Sequence, residues 1–132
     1  MLGTLSTVPP APSIRILIVD DDDDLCTMIA RFLTAHGYLT FTAPNALDGL
    51  KVLDKEPIKL LITDLMMPHL DGIHFAEQVH ALPKYKDLSV ILITAYPSDA
   101  ISDKGMRKGV ALTLSKPLDL GKLLDLVGFA TH

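Results

Sequence analysis

The chain has no tryptophan, a single cysteine and few aromatic residues, 5% in all. A lone Cys26 cannot form an internal disulfide, which suits a reducing compartment and makes a cytoplasmic location the expectation. At its position near a helix start it reads as a small packing residue. No apolar run is long enough to span a bilayer, and the opening MLGTLSTVPPAPS has neither the basic segment nor the apolar one of a secretion signal. Membrane insertion is therefore not expected. An excess of positive charge is missing too: 12 Lys and Arg stand against 16 Asp and Glu, a net charge of -4. The basic residues are scattered, which argues against direct nucleic-acid binding.

What is present is apolar content, 48% of 132 residues, enough for the core of one domain. Residues 1 to 13 hold three prolines and mostly small residues, too few apolar groups to offset the cost of ordering, so they read as a flexible leader. Residues 14 to 132 read as the domain. Short apolar runs there alternate with segments of helical character, the pattern of an α/β fold with a doubly wound parallel sheet and helices on both faces. The expected strands are Ile14 to Val19, Leu39 to Ala43, Leu60 to Thr63, Val90 to Thr94 and Ala111 to Ser115. LLIT and VILIT are continuous apolar runs and IRILIV is nearly one, as in strands covered on both faces, whereas LTFTA and ALTLS alternate. The first, third and fourth strands are thus central. With right-handed crossovers the order becomes 2-1-3-4-5, flavodoxin-like.

Helices are expected between the strands. Leu25, Met28, Ile29, Phe32 and Leu33 make one stripe behind an aspartate cap, and Gly37 after His36 is a stop signal. Asn45 caps a helix carrying Leu47, Leu50 and Leu53. Asp71 caps another carrying Ile73, Ala76 and Val79. Ser98 to Lys108 has only Ala100, Ile101 and Met106 to bury and contains Gly105, so its helix should be marginal. The last helix presents Leu120, Leu123, Leu124 and Val127.

The sequence ILIVDDDDDL runs an apolar strand into five aspartates. Ligands bind beyond the carboxyl ends of the strands of an open parallel sheet. Asp20 and Asp21 lie there after the first strand, Asp64 after the third, Thr94 at the end of the fourth and Lys116 just past the fifth. Three carboxylates, a hydroxyl and an ammonium therefore converge on one rim. Clustered carboxylates favour a hard divalent cation. One carboxylate can also attack phosphorus, with the cation, a lysine and a hydroxyl stabilising the phosphoryl oxygens. Asp22, Asp23 and Asp24 instead cap and complement the start of the first helix. The five histidines form no ligand spacing: His74 and His80 share a helix but are not one turn apart, and His36, His69 and His132 lie elsewhere.

ILIVDDD, LLITDLMMPHLDG, VILITA and LSKPLD together resemble, in order and spacing, the four motif blocks of the receiver domain of two-component response regulators, over roughly residues 14 to 128. The resemblance implies a phospho-accepting signalling domain rather than an enzyme. It makes Asp64 the phosphoacceptor and Asp21 a direct magnesium ligand, with Asp20 holding the metal largely through water and the Met66 carbonyl adding a ligand. Manganese could replace magnesium. Thr94 and Lys116 would bind the phosphoryl group, and Pro117 would follow a Lys116-Pro117 bond that is often cis. It also implies a histidine kinase or histidine phosphotransfer protein as donor, an unidentified downstream target, and output through the fourth helix, fifth strand and fifth helix.

The chain departs from the family's common pattern at Thr113, where many receivers carry an aromatic residue, so a rotamer switch there is in question. Met66 and Tyr96, two positions past Asp64 and Thr94, are expected over the approach of hydrolytic water, which would make the phosphoryl group long-lived. Tyr96 is followed by Pro97, which would bend the entry to the fourth helix. Two other readings compete. Asp20, Asp22 and Asp24 give the alternating acids of a haloacid-dehalogenase-like phosphatase, and a receiver-like module could signal without phosphorylation.

Overall fold

A computed structural model describes residues 13–132; all of the leader expected over residues 1 to 13 except Ser13 lies outside them. Among the described residues, five strands alternate with five helices: β1 Arg15–Val19, α1 Asp23–Ala35, β2 Leu39–Ala43, α2 Ala46–Lys55, β3 Leu60–Asp64, α3 Gly72–His80, β4 Ser89–Thr94, α4 Asp99–Arg107, β5 Leu112–Ser115 and α5 Leu120–Thr131. The sheet order is β2-β1-β3-β4-β5, parallel throughout. Every residue of β3 is buried and all but the first of β4, while β2 and β5 keep exposed or half-buried positions. The continuous apolar runs are central and the alternating ones are edges, as coverage on one face or two requires.

Because strand side chains alternate between faces, the sheet divides the apolar interior in two. Leu17, Val19, Leu61, Val90 and Leu92 pack with Leu53 of α2 and Phe75, Ala76 and Val79 of α3. Ile16, Ile18, Leu60, Ile62, Ile91 and Ile93 pack with Ile29 and Leu33 of α1 and Leu123 and Val127 of α5.

Local signals set the helix starts. Asp22, Asn45, Asp71, Ser98 and Asp119 each accept a main-chain N–H three residues on, which satisfies donors that the first turn leaves free. Gly37 follows α1 at a φ of 94°, the left-handed stop its position implied. Some stripe residues lie outside the core: Met28, Leu47 and Met106 are exposed, as is Ala100. Two buried aromatic residues carry more of the packing than the helix stripes suggested. Phe75 is fully buried on α3, and Tyr85 is buried in a 3-10 turn, Pro83–Tyr85, between α3 and β4.

Candidate functional site

Four strand ends build the rim. Asp20 and Asp21 follow β1, Asp64 closes β3, Thr94 closes β4 and Lys116 follows β5, and these strands are neighbours in the sheet. One carboxylate oxygen from each of Asp20, Asp21 and Asp64 lies within 4.8 Å of the others, with Asp20 and Asp64 buried and Asp21 exposed. The Lys116 ammonium donates to Asp20 Oδ2 at 3.1 Å and lies 3.4 Å from Asp64 Oδ1.

Asp20 is held on every side. Its Oδ1 accepts the Asp22 N–H at 2.9 Å, its own N–H donates to the Ala43 carbonyl, and the Cys26 thiol donates to its carbonyl at 3.4 Å. Cys26 is therefore more than filler, and burial, then the charge of Asp20, pushes its thiol pKa up to about 11. It stays a protonated donor at neutral pH.

Burial, and next the charge of Asp20, raises the pKa of Asp64, against the opposing pull of Lys116 and of the Met66 N–H. For Lys116, loss of hydration works against the charge, but the hydrogen bond to Asp20 and the charges of Asp20 and Asp64 outweigh it and raise its pKa. Three carboxylates thus face one ammonium. The donor set is all hard oxygen on the anionic side, so the residues fit a magnesium ion.

Thr94 is fully buried, and its Oγ1 accepts the Tyr96 N–H at 3.0 Å. Its carbonyl accepts the Lys116 N–H at 2.8 Å, tying two of the expected site residues together through main chain. The Lys116-Pro117 bond is cis. Met66 and Tyr96 are exposed at 62% and 73%, so both side chains face solvent at the edge of the rim. Thr113 is half-buried and pairs in register with Leu92.

Gly72 went unnoticed in the sequence. A Cβ there would come within 2.2 Å of the Asp64 carbonyl oxygen, and its N–H donates to Leu65 O at 2.9 Å. The glycine lets α3 start against the main chain of Asp64, and the signal was the glycine directly after the capping Asp71.

Other acids and histidines serve elsewhere. Asp22 caps α1 through the Leu25 N–H, and Asp23 and Asp24 lie in its first turn. His74 pairs with Asp71 at 2.8 Å, His36 with the Phe32 carbonyl, and His80 with the Leu88 carbonyl. The apolar groove of about 550 Å3 between the start of α2 and the β3–α3 loop contains none of the three carboxylates.

A family model described as the response regulator receiver domain matches residues 16–128. This chain belongs to that family. The receiver is 38% identical over 112 residues to an uncharacterized 14.6 kDa protein from the sodA1 3′ region of Leptolyngbya boryana, covering 85% of this chain and 86% of that protein. It is 35% identical over 114 residues to the transcriptional regulatory protein GlrR of Escherichia coli, covering 86% of the receiver but 25% of that longer protein. Among solved structures, the chemotaxis protein CheY4 of Vibrio cholerae matches with a TM-score of 0.87 at 25% identity, over 90% of this chain and 99% of that one.

Proposed function

We propose that this receiver, over residues 14 to 132, accepts a phosphoryl group on Asp64 from the phosphohistidine of a histidine kinase or histidine phosphotransfer protein in the cytoplasm. The observation that carries this reading is the convergence of Asp20, Asp21 and Asp64 with the Lys116 ammonium at one rim. An Asp64 oxygen attacks phosphorus in line as the phosphorus–nitrogen bond of the donor breaks, and the departing imidazole keeps the electron pair and takes up a proton.

The residues divide the remaining work. Lys116, already between two carboxylates, offsets charge on one phosphoryl oxygen, and the Thr94 hydroxyl donates to another. Asp21 would ligate magnesium directly and Asp20, whose oxygens already accept from Asp22 and Lys116, would hold it largely through water. The Asp64 carboxylate and the Met66 carbonyl would complete the protein's share, and manganese could substitute. Bound there, the cation supplies charge neutralisation for the transferring phosphoryl oxygens. The domain assists its own phosphorylation and slow dephosphorylation but turns over no substrate. Its signal is a changed surface of α4, β5 and α5, read by a protein target.

Two experiments test the reading. Acetyl phosphate should label the parent in the presence of magnesium and leave Asp64→Asn unlabelled; labelling of that variant at the parental rate would overturn the acceptor assignment. Magnesium alone should raise the melting temperature of the parent, and Asp21→Ala should lose most of the gain. Equal stabilisation of both proteins would remove Asp21 from the metal site.

A further inference from the structure

Thr94 is a buried residue with an engaged hydroxyl, and the donor to its Oγ1 is the main chain of Tyr96 at 3.0 Å. That bond leaves the hydroxyl proton free to donate in another direction. A group that accepts one hydrogen bond while giving another is polarised, and each bond of such a chain strengthens the other.

The chain just beyond is short and stiff. Pro97 fixes its own φ and keeps Tyr96 out of the helical region. Ser98 follows, and its side chain accepts the Ile101 N–H at 3.1 Å as the cap of α4. One residue thus separates the Tyr96 amide from the cap. The helix beyond is lightly held: Gly105 is its buried residue, packed on Val110 near the far end, where Lys108 also pairs with Glu77 at 3.3 Å. Its buried residue lies at the end away from Thr94, and only the half-buried Ile101 packs on the core from its first turn.

The geometry points to Tyr96 as a positioning residue that acts through its main-chain N–H: it aims the Thr94 hydroxyl at the phosphoryl group and carries any movement of that hydroxyl into the start of α4. This rests on the proposed acceptance at Asp64. The Tyr96 ring, 73% exposed, is not part of the link. Since Thr113 stands on β5 without an aromatic ring, the main chain provides a route to α4 that needs no rotamer switch.

The test compares Tyr96→Ala, which keeps the N–H, with Tyr96→Pro, which removes it. The probe is beryllium trifluoride with magnesium, a phosphoryl mimic that a carboxylate oxygen ligates. Parent and Tyr96→Ala should bind the mimic alike and change their hydrogen exchange over residues 98 to 108. Tyr96→Pro should bind about fivefold more weakly, the effect of one lost hydrogen bond, and lose the exchange change. Retention by Tyr96→Pro of either parental affinity or the exchange change overturns the inference, as does loss of the exchange change in Tyr96→Ala. Should Tyr96→Pro not fold, the Tyr96 amide of the parent decides by NMR. It should remain protected from exchange when the mimic binds, and loss of that protection overturns the link. If the parent itself does not bind the mimic, the acceptor reading fails, and its failure is told apart because no variant is involved.

Discussion

The Tyr85 hydroxyl donates to the Leu53 carbonyl at 2.7 Å, joining residues 32 positions apart. The Glu56 carbonyl, 2.5 Å away, shares the same proton, and the phenol oxygen accepts the Ile58 N–H at 3.3 Å, so one buried phenol serves the end of α2 and the turn into β3. Tyr85→Phe keeps the packing and deletes the bonds to all three main-chain partners. It should lower stability by about 1–3 kcal/mol, because buried main-chain groups are left unpaired. Urea unfolding followed by circular dichroism measures it, and an unchanged midpoint would mean that water replaces the phenol.

Asp64 is held above the ordinary carboxylate range by burial and then by Asp20. The folded state therefore keeps its proton to higher pH than the unfolded chain. Stability falls as pH rises from the ordinary carboxylate pKa through the folded one, and the penalty is complete above it. Asp64→Asn removes the penalty. Without magnesium it should melt higher than the parent once the pH is above the range in which Asp64 titrates, and show a flatter dependence as pH rises from the ordinary carboxylate value. A lower melting point than the parent at neutral pH would mean that the pairing with Lys116 outweighs desolvation.

His69 has a φ of 72°, the left-handed region that costs side chains about 1 kcal/mol or more. His69→Gly should stabilise by about 0.5 kcal/mol, less than the full relief because glycine also loosens the unfolded chain. His69→Val should destabilise by about 1 kcal/mol or more. Thermal melts of both variants check the pair, and the same sign for both would show that the backbone at 69 is not the cause.

Met66 stands two residues past Asp64, exposed at 62%, with a thioether that offers no donor to orient water. Met66→Asn should shorten the lifetime of the phosphorylated receiver roughly several-fold without preventing labelling. Decay of labelled protein at fixed magnesium measures this. Identical half-lives would show that the side chain at 66 does not govern access of water.

The sheet was legible because its strands differ in pattern: LLIT is apolar throughout and lies at the centre, LTFTA alternates and lies at an edge. The clustering of Asp20, Asp21, Asp64 and Lys116 was legible because these residues, like Thr94, follow or end strands, and strand order brings such ends to one rim. Spacing could not separate the middle of a helix stripe from its margin, so Leu47 and Met106 read as core and are exposed at 65% and 68%. Tyr85 sits outside any periodic segment, and its burial depends on the distant end of α2. Gly72 and the Tyr96 amide act through main chain, where approach distances decide and side-chain type carries little signal.

The division of the interior by the sheet gives the rim a special place in the molecule. By strand alternation, Asp64 continues the side of Leu60 and Ile62, which faces α1 and α5, whereas Thr94 continues the side of Val90 and Leu92, which faces α3. The two chambers share no side chain across the strands, yet Asp64 and Thr94 close neighbouring strands at the same end of the sheet. Any group fastened to Asp64 and gripped by Thr94 is thus a bracket between two otherwise separate halves. On the proposed reading it would work as a keystone, with its arrival felt on both sides of the sheet at once.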